Sequence, residues 1–157
     1  MEFPATDWYQ FFSSLTEGEL EGIALLRVIE CTNGCIQHAF RDNHPKALSV
    51  EQTRKAMKFS MGLMKTMEFE LGGDRYSFSE STGENLREIR ELYVKGFKQN
   101  DDEALEEFLR SSVACATVLG KDRIQKAAKL VIEHIPDVIP PYSVRWGIDY
   151  VYSLILS

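Results

Sequence analysis

The segment from Leu20 to Cys31 constrains the fold of this chain more than any other. Arranged as a helix, it is apolar on nearly every side, and only Arg27 and Glu30 interrupt it. A helix of this kind is unsuited to a surface, because it would expose apolar side chains to water whichever way it turned. The chain must therefore place this helix at the centre of a bundle and surround it with other elements.

Signals at both ends give this helix its predicted length. Thr16 and Glu19 form a capping box, in which each side chain accepts a backbone N–H at the start of the helix. This pattern predicts a helix over residues 17–32. Asn33 and Gly34 both tolerate left-handed backbone dihedrals, so we expect the helix to stop there.

Helical spacing of apolar residues recurs along most of the remaining chain. Further capping boxes begin at Ser49 and Ser81, and Gly120 is expected to end a helix. The predicted helices begin near Asp7, Glu17, Ser49, Ser81, Asn100, Asp122 and Ser143. The apolar residues expected to face inward include Met57, Met61, Met64, Tyr93, Phe97, Leu105, Phe108, Leu109 and Val113. For the methionines, a groove that receives a partner helix is the alternative.

One stretch departs from the helical pattern. Apolar and polar residues alternate in residues 67–71 and again in residues 76–79, and Gly72 and Gly73 lie between them. Alternation on both sides of a glycine turn is typical of a β-hairpin. The sequence therefore predicts one hairpin near residues 67–79, with a helix that ends at Gly72 as the alternative.

These patterns predict a mostly α fold, a helical bundle of about six to seven helices. The 157 residues suit one domain, since domains typically contain about 100–200 residues, and neither a linker nor a repeat divides the chain. We therefore assign residues 1–157 to a single helical domain. No window of about 18 apolar residues predicts a membrane span, and the first residues do not resemble a secretory signal.

The charge of the chain restricts its expected partners and location. Its 18 basic and 24 acidic residues give a net charge of −6, which disfavours nucleic acid because binding to phosphates requires a basic surface. Basic residues concentrate in residues 41–65, where we expect either a phosphate contact or a solvated helix face. The three cysteines show no secreted disulfide pattern, so we expect reduced thiols and a cytoplasmic protein without membrane contact.

Acidic residues cluster at the start of the helix near residue 101. Apolar residues between them are expected to face the core, which would hold the carboxylates on a rigid element facing water. Part of this cluster caps the helix and complements its dipole. Its functional interpretation is a docking face for a protein partner with a basic surface. The predicted partner-binding residues are Asp101, Asp102, Glu103, Glu106 and Glu107.

A second group of residues has the chemistry of a metal site. Cys31, Cys35 and His38 would share one face if a helix continued across them, and His44 would add a fourth zinc ligand. The expected helix stop lies between the two cysteines and would break that face. Core packing is the favoured interpretation of the thiols, so we predict no bound metal and no other cofactor.

The sequence carries no recognisable catalytic motif. It lacks a serine in a Gly-x-Ser-x-Gly turn, a phosphate-binding loop and a His-Glu-x-x-His pair. It thus favours a cytosolic, non-catalytic protein-binding domain, an inhibitor or immunity-type protein that docks a basic partner through its acidic helical face. The alternative is a helical sensor or regulator that binds a small molecule between its helices. A Cys/His metalloprotein or enzyme is the least favoured hypothesis.

Overall fold

The computed structural model describes residues 7–65 and 68–156. In these residues the chain forms six helices and one antiparallel hairpin, which confirms the predicted mostly α fold with a hairpin. Met67, where the predicted hairpin starts, and the side chain of Met64 lie outside the described residues. The elements are α1 (Trp8–Ser13), α2 (Glu17–Arg41), α3 (Val50–Met64), β1 (Glu68–Leu71), β2 (Asp74–Ser77), α4 (Glu80–Lys98), α5 (Asp102–His134) and α6 (Pro141–Leu156).

Helix α2 forms the centre of the fold, as its apolar segment predicts. It packs against α3, α5, α6 and β2, and 12 of its 25 residues are buried. The buried apolar residues of the described chain form one continuous core. To this core α2 contributes Leu25, Val28, Ile29 and Ile36, each at most 1% exposed. Burial of apolar side chains around α2 therefore stabilises the fold.

The predicted helix stop at Asn33 and Gly34 is wrong, because α2 continues through both residues to Arg41. Packing against α6 explains the difference. A Cβ atom at Gly147 would lie only 2.7 Å from the backbone nitrogen of Thr32, so the two helices touch directly. One interior glycine costs a helix about 1 kcal/mol, which burial of the following turns outweighs.

Side-chain caps start α1 to α5 close to the predicted positions. Ser49 completes the predicted capping box of α3, with both hydrogen bonds at 3.1 Å. The predicted cap at Ser81 is wrong, since Ser79 caps α4 and accepts the N–H of Thr82 at 3.2 Å. Glu19 on α2 fixes this earlier start, because its carboxylate accepts the N–H of Ser79 at 3.1 Å where the chain leaves the hairpin.

Helix α5 contains a break near its middle. Gly120 has φ 74° and ψ 167°, which are not helical, and the helix resumes after it and continues to His134. The backbone interruption predicted at Gly120 is present, but the element continues across the kink. A left-handed φ of this kind favours glycine, because a Cβ atom would be strained there.

Four apolar side chains of α4 and α5 that we expect to be buried are exposed instead. The exposed fractions are 44% for Tyr93, 51% for Phe97, 42% for Leu109 and 40% for Val113. Helix α4 packs chiefly against α5, so part of each helix meets no further element. Met61 on α3 is likewise 52% exposed. Hydrophobic spacing identifies a helix but does not show which of its sides lacks a covering neighbour.

Candidate functional site

One side of α5 combines charge with exposed apolar surface. Asp102, Glu106, Leu109 and Val113 follow one another at intervals of four, three and four residues, which places them on one side of a helix. All four side chains are exposed. We call these four residues the α5 stripe. It presents two carboxylates at one end and two aliphatic side chains at the other, over a length of about 16 Å.

A tight junction with α4 holds the start of α5 in place. Asp101 caps the helix by accepting the N–H of Ala104 at 3.2 Å, and its own N–H donates to the carbonyl of Lys95 at 3.0 Å. Gly96 lies so close to α5 that a Cβ atom there would be 2.8 Å from the Cα of Leu105. The predicted binding residue Asp101 therefore has a capping role, and the turn that follows it is firmly anchored.

Glu107, another predicted binding residue, points away from the α5 stripe. Its side chain is only 13% exposed, and its carboxylate accepts the indole N–H of Trp8 at 2.6 Å. This hydrogen bond ties α1 to α5. Arg110 also binds Glu107 at 3.1 Å and Glu106 at 2.5 Å, so it offsets part of the negative charge of the cluster. Glu107 thus forms a structural contact between two helices.

The carboxylates of Asp102 and Glu103, unlike those of the other three cluster residues, have no hydrogen-bond or ion-pair partner among residues 7–65 and 68–156. Both are exposed in the first turn of α5, where they also complement the helix dipole. Asp102 belongs to the α5 stripe, whereas Glu103 lies on an adjacent side of the helix. Of the five predicted binding residues, the structure therefore places two, Asp102 and Glu106, in line with exposed apolar side chains.

Sequence reasoning missed Leu109 and Val113 as surface residues. The signal was present in the spacing, because a helix that exposes Asp102 and Glu106 also exposes the positions three and seven residues beyond Glu106. The prediction instead followed the hydrophobicity of the two side chains. Hydrophobicity is the weaker guide here, since more than half of a typical protein surface is apolar.

The four candidate metal ligands, for which the sequence favours core packing instead, do not converge. Cys31, Cys35 and His38 lie on one face of the continuous α2, but the imidazole of His38 pairs with Asp42 at 3.0 Å. His44 packs its ring against that of the α6 tryptophan, with the centroids 5.4 Å apart. Within the part of the chain that the structure describes, no three His, Cys, Asp or Glu side chains gather to hold a metal ion.

Burial holds the thiols of α2 and α5 in their protonated form. It raises the pKa of Cys31 to about 12, and it raises the pKa of Cys115 against the opposing effect of Arg27. Burial also opposes the charge of Arg27, but Cys115, Glu30 and Cys31 together raise the pKa of that guanidinium. A thiol must lose its proton before it acts as a nucleophile or metal ligand, so burial disfavours both roles for Cys31 and Cys115 at neutral pH.

A groove opens between α3, the hairpin and the end of α5. Its volume is about 440 Å³, and its lining includes Phe59, Phe69 and Glu70. The imidazole of His134 lies against Gly72, where a Cβ atom would be 2.7 Å from Nε2. Because Gly72 also has φ 64°, both the backbone and the available space favour glycine at this corner of the groove.

Comparison with protein-family models, with curated proteins and with solved structures finds no match to this chain. Among the described residues, no helix combines the length and the apolar character needed to cross a membrane.

Proposed function

We propose that this chain is a non-catalytic protein-binding domain of the inhibitor or immunity type, and that its α5 stripe docks a partner with a basic surface. The observation that carries this proposal is the exposure of Leu109 and Val113 in line with Asp102 and Glu106. Docking surfaces combine apolar side chains with polar or charged ones, and the stripe presents both kinds side by side.

The two halves of the α5 stripe make different contributions to binding. Burial of apolar surface contributes about 25 cal/mol per Å², so Leu109 and Val113 slow dissociation of the complex. Exposed carboxylates mainly accelerate association with a basic partner, and their effect weakens as the salt concentration rises. The cap at Asp101 and the hydrogen bond between Glu107 and Trp8 hold α5 in place within the fold. Little backbone entropy is therefore lost when a partner docks.

The chemistry of the cysteines supports a cytoplasmic location for this function. Cys31, Cys35 and Cys115 are all free, and unpaired cysteines are typical of compartments that keep thiols reduced. Docking through the α5 stripe requires no cofactor, in keeping with a binding domain rather than an enzyme.

Photo-crosslinking in cells that produce the protein tests the proposal. A benzophenone amino acid replaces Val113 in the stripe, and in the control it replaces Gln125, which is exposed on the same helix beyond the kink. We expect a discrete adduct with a protein that presents a basic surface at position 113 and none at position 125. The variant Glu106→Lys should remove the adduct. Equal labelling from both positions, or none from either, would contradict the proposal.

A second candidate function, the binding of a small molecule, is favoured by the groove beside His134. Phe59 and Phe69 provide apolar walls, and Glu70 and His134 add polar groups, a combination common in ligand sites. Thermal unfolding with a panel of metabolites tests this function, because a ligand that binds the native state raises Tm. A ligand for this groove should raise Tm of the native chain but not of His134→Ala. A panel without any shift would count against it.

A further inference from the structure

The outward side of α3 is a second exposed stripe, opposite in charge to the first. Arg54, Lys58, Met61 and Lys65 follow one another at intervals of four, three and four residues, which places them on one side of the helix and its first following residue. All four are exposed, and Met61 is 52% exposed. We call these four residues the α3 stripe. Helix α3 packs chiefly against α2, which leaves this side open.

The cations of the α3 stripe are not used within the fold. Arg54, Lys58 and Lys65 form no ion pair with any residue in the ranges 7–65 and 68–156. Two other cations do pair across elements, since Arg123 and Lys126 of α5 bind glutamates of α2 at 2.5 and 3.1 Å. Because the chain has a net charge of −6, an unpaired basic surface is opposite in charge to much of the rest of its surface.

The two stripes match in spacing as well as in charge. Each contains four residues at the same intervals, so each covers about 16 Å of helix. When the two helices lie parallel and in register, each of the first two pairs joins a basic residue to an acidic one. The third pair joins two apolar side chains, and in the fourth the aliphatic part of a lysine covers a valine. The facing pairs are Arg54 with Asp102, Lys58 with Glu106, Met61 with Leu109 and Lys65 with Val113.

We propose that the α3 stripe of one copy of this chain docks on the α5 stripe of a second copy. This inference rests on the proposed function, because it names the basic partner of the same α5 surface. The complementarity extends to both ends of the stripe, whereas a purely acidic partner would leave Met61 uncovered. Association between copies therefore buries the exposed apolar side chains of both helices while it pairs their charges.

The contact joins two different surfaces, so it is heterologous. After docking, the first copy keeps a free α5 stripe and the second keeps a free α3 stripe, so assembly continues head to tail unless the rotation between copies closes a ring. A single pair of helical stripes forms a small interface, so we expect weak, reversible association that high salt abolishes.

Sedimentation velocity with two reciprocal charge reversals tests this arrangement. One variant carries Asp102→Lys and Glu106→Lys, which makes both stripes basic. The other carries Arg54→Glu and Lys58→Glu, which makes both stripes acidic. We expect the native chain to shift from the monomer value towards dimers and larger species as its concentration rises at low salt. Each variant alone should remain a monomer, because like charges face one another.

An equimolar mixture of the two variants is the decisive sample. Every stripe then has an oppositely charged partner on the other variant, so mixing should restore association. Circular dichroism and Tm verify that both variants are folded. The matched control carries Glu84→Lys and Glu91→Lys on the exposed side of α4 and should associate like the native chain.

Two results would overturn the inference: a native chain that stays monomeric throughout, and a mixture that fails to associate. These results are distinguishable from failure of the proposed function. If the native chain is monomeric but position 113 still crosslinks to a different protein with a basic surface, the proposed function stands and the self-association falls. If crosslinking and sedimentation are both unaffected by the α5 reversal, both fall.

Discussion

Single hydrogen bonds between residues far apart in sequence attach the outer elements to the core. The indole of Trp8 donates to Glu107 and fastens α1, and the carboxylate of Glu19 accepts from Ser79 and fastens the end of the hairpin. The sequence alone presents Glu107 as a surface charge and Glu19 as part of a capping box. Their roles depend on tertiary neighbours, so spacing along the chain gives no sign of them.

Replacing Glu107 with alanine is expected to destabilise the fold. Trp8 is only 4% exposed, so its indole N–H would lose its acceptor without gaining free access to water. An unpaired buried donor costs about 1–3 kcal/mol, and urea denaturation should show a loss of that size in the free energy of unfolding. The matched variant Glu103→Ala, at an exposed and unpaired position, should change stability by at most about 0.5 kcal/mol. Equal losses in the two variants would refute the structural role of Glu107.

The thiol of Cys31 should make stability depend on pH in alkaline solution. Its pKa rises from 9.0 to about 12 on folding because burial disfavours the thiolate. The stabilising contribution is therefore fully present below pH 9 and is lost as the pH rises through the folded-state pKa. Urea denaturation at several pH values should show native stability falling relative to Cys31→Ser, by up to about 1.4 kcal/mol per pH unit. Parallel pH profiles for the two proteins would contradict this burial.

At the scale of elements, α2 shows where local sequence signals are overruled. The predicted caps at Thr16 and Ser49 are present, because a capping hydroxyl binds backbone groups only three residues away. Asn33 and Gly34 merely permit a helix to end, and the contact between Thr32 and α6 holds the backbone helical instead. A permissive local signal therefore loses to tertiary packing, and the contact between Glu19 and Ser79 likewise displaces the cap predicted at Ser81.

The contrast between two glycines tests this account of α2 and α5. Gly34 is helical and exposed, and a Cβ atom there would meet nothing within 4 Å, so Gly34→Ala should stabilise the fold by about 0.5–1 kcal/mol. Gly120 also has free space, but its φ of 74° strains any other residue, so Gly120→Ala should destabilise it. Thermal unfolding measures both changes. A loss of stability in Gly34→Ala would indicate that α2 ends there after all.

At the scale of the whole molecule, the sequence predicts the helical architecture and the hairpin, but only part of the candidate site. Apolar spacing identifies helices, because it depends on neighbouring residues within each element. Whether Leu109 and Val113 are covered depends on where α4 and α6 lie, which is a property of the assembled fold. The same limit applies to Glu107, which the position of α1 removes from the surface.

The central claim, that the α5 stripe docks a partner, is tested most directly by the association rate with the partner identified by crosslinking. Stopped-flow mixing measures this rate for the double variant that carries both Asp102→Lys and Glu106→Lys. The control is the α4 variant with Glu84→Lys and Glu91→Lys, which changes the net charge equally. Reversal of the stripe should slow association by about ten- to a thousandfold at low salt, less at high salt, and the α4 reversal should have little effect. Equal slowing by both reversals, or an unchanged rate in the stripe variant, would contradict the claim.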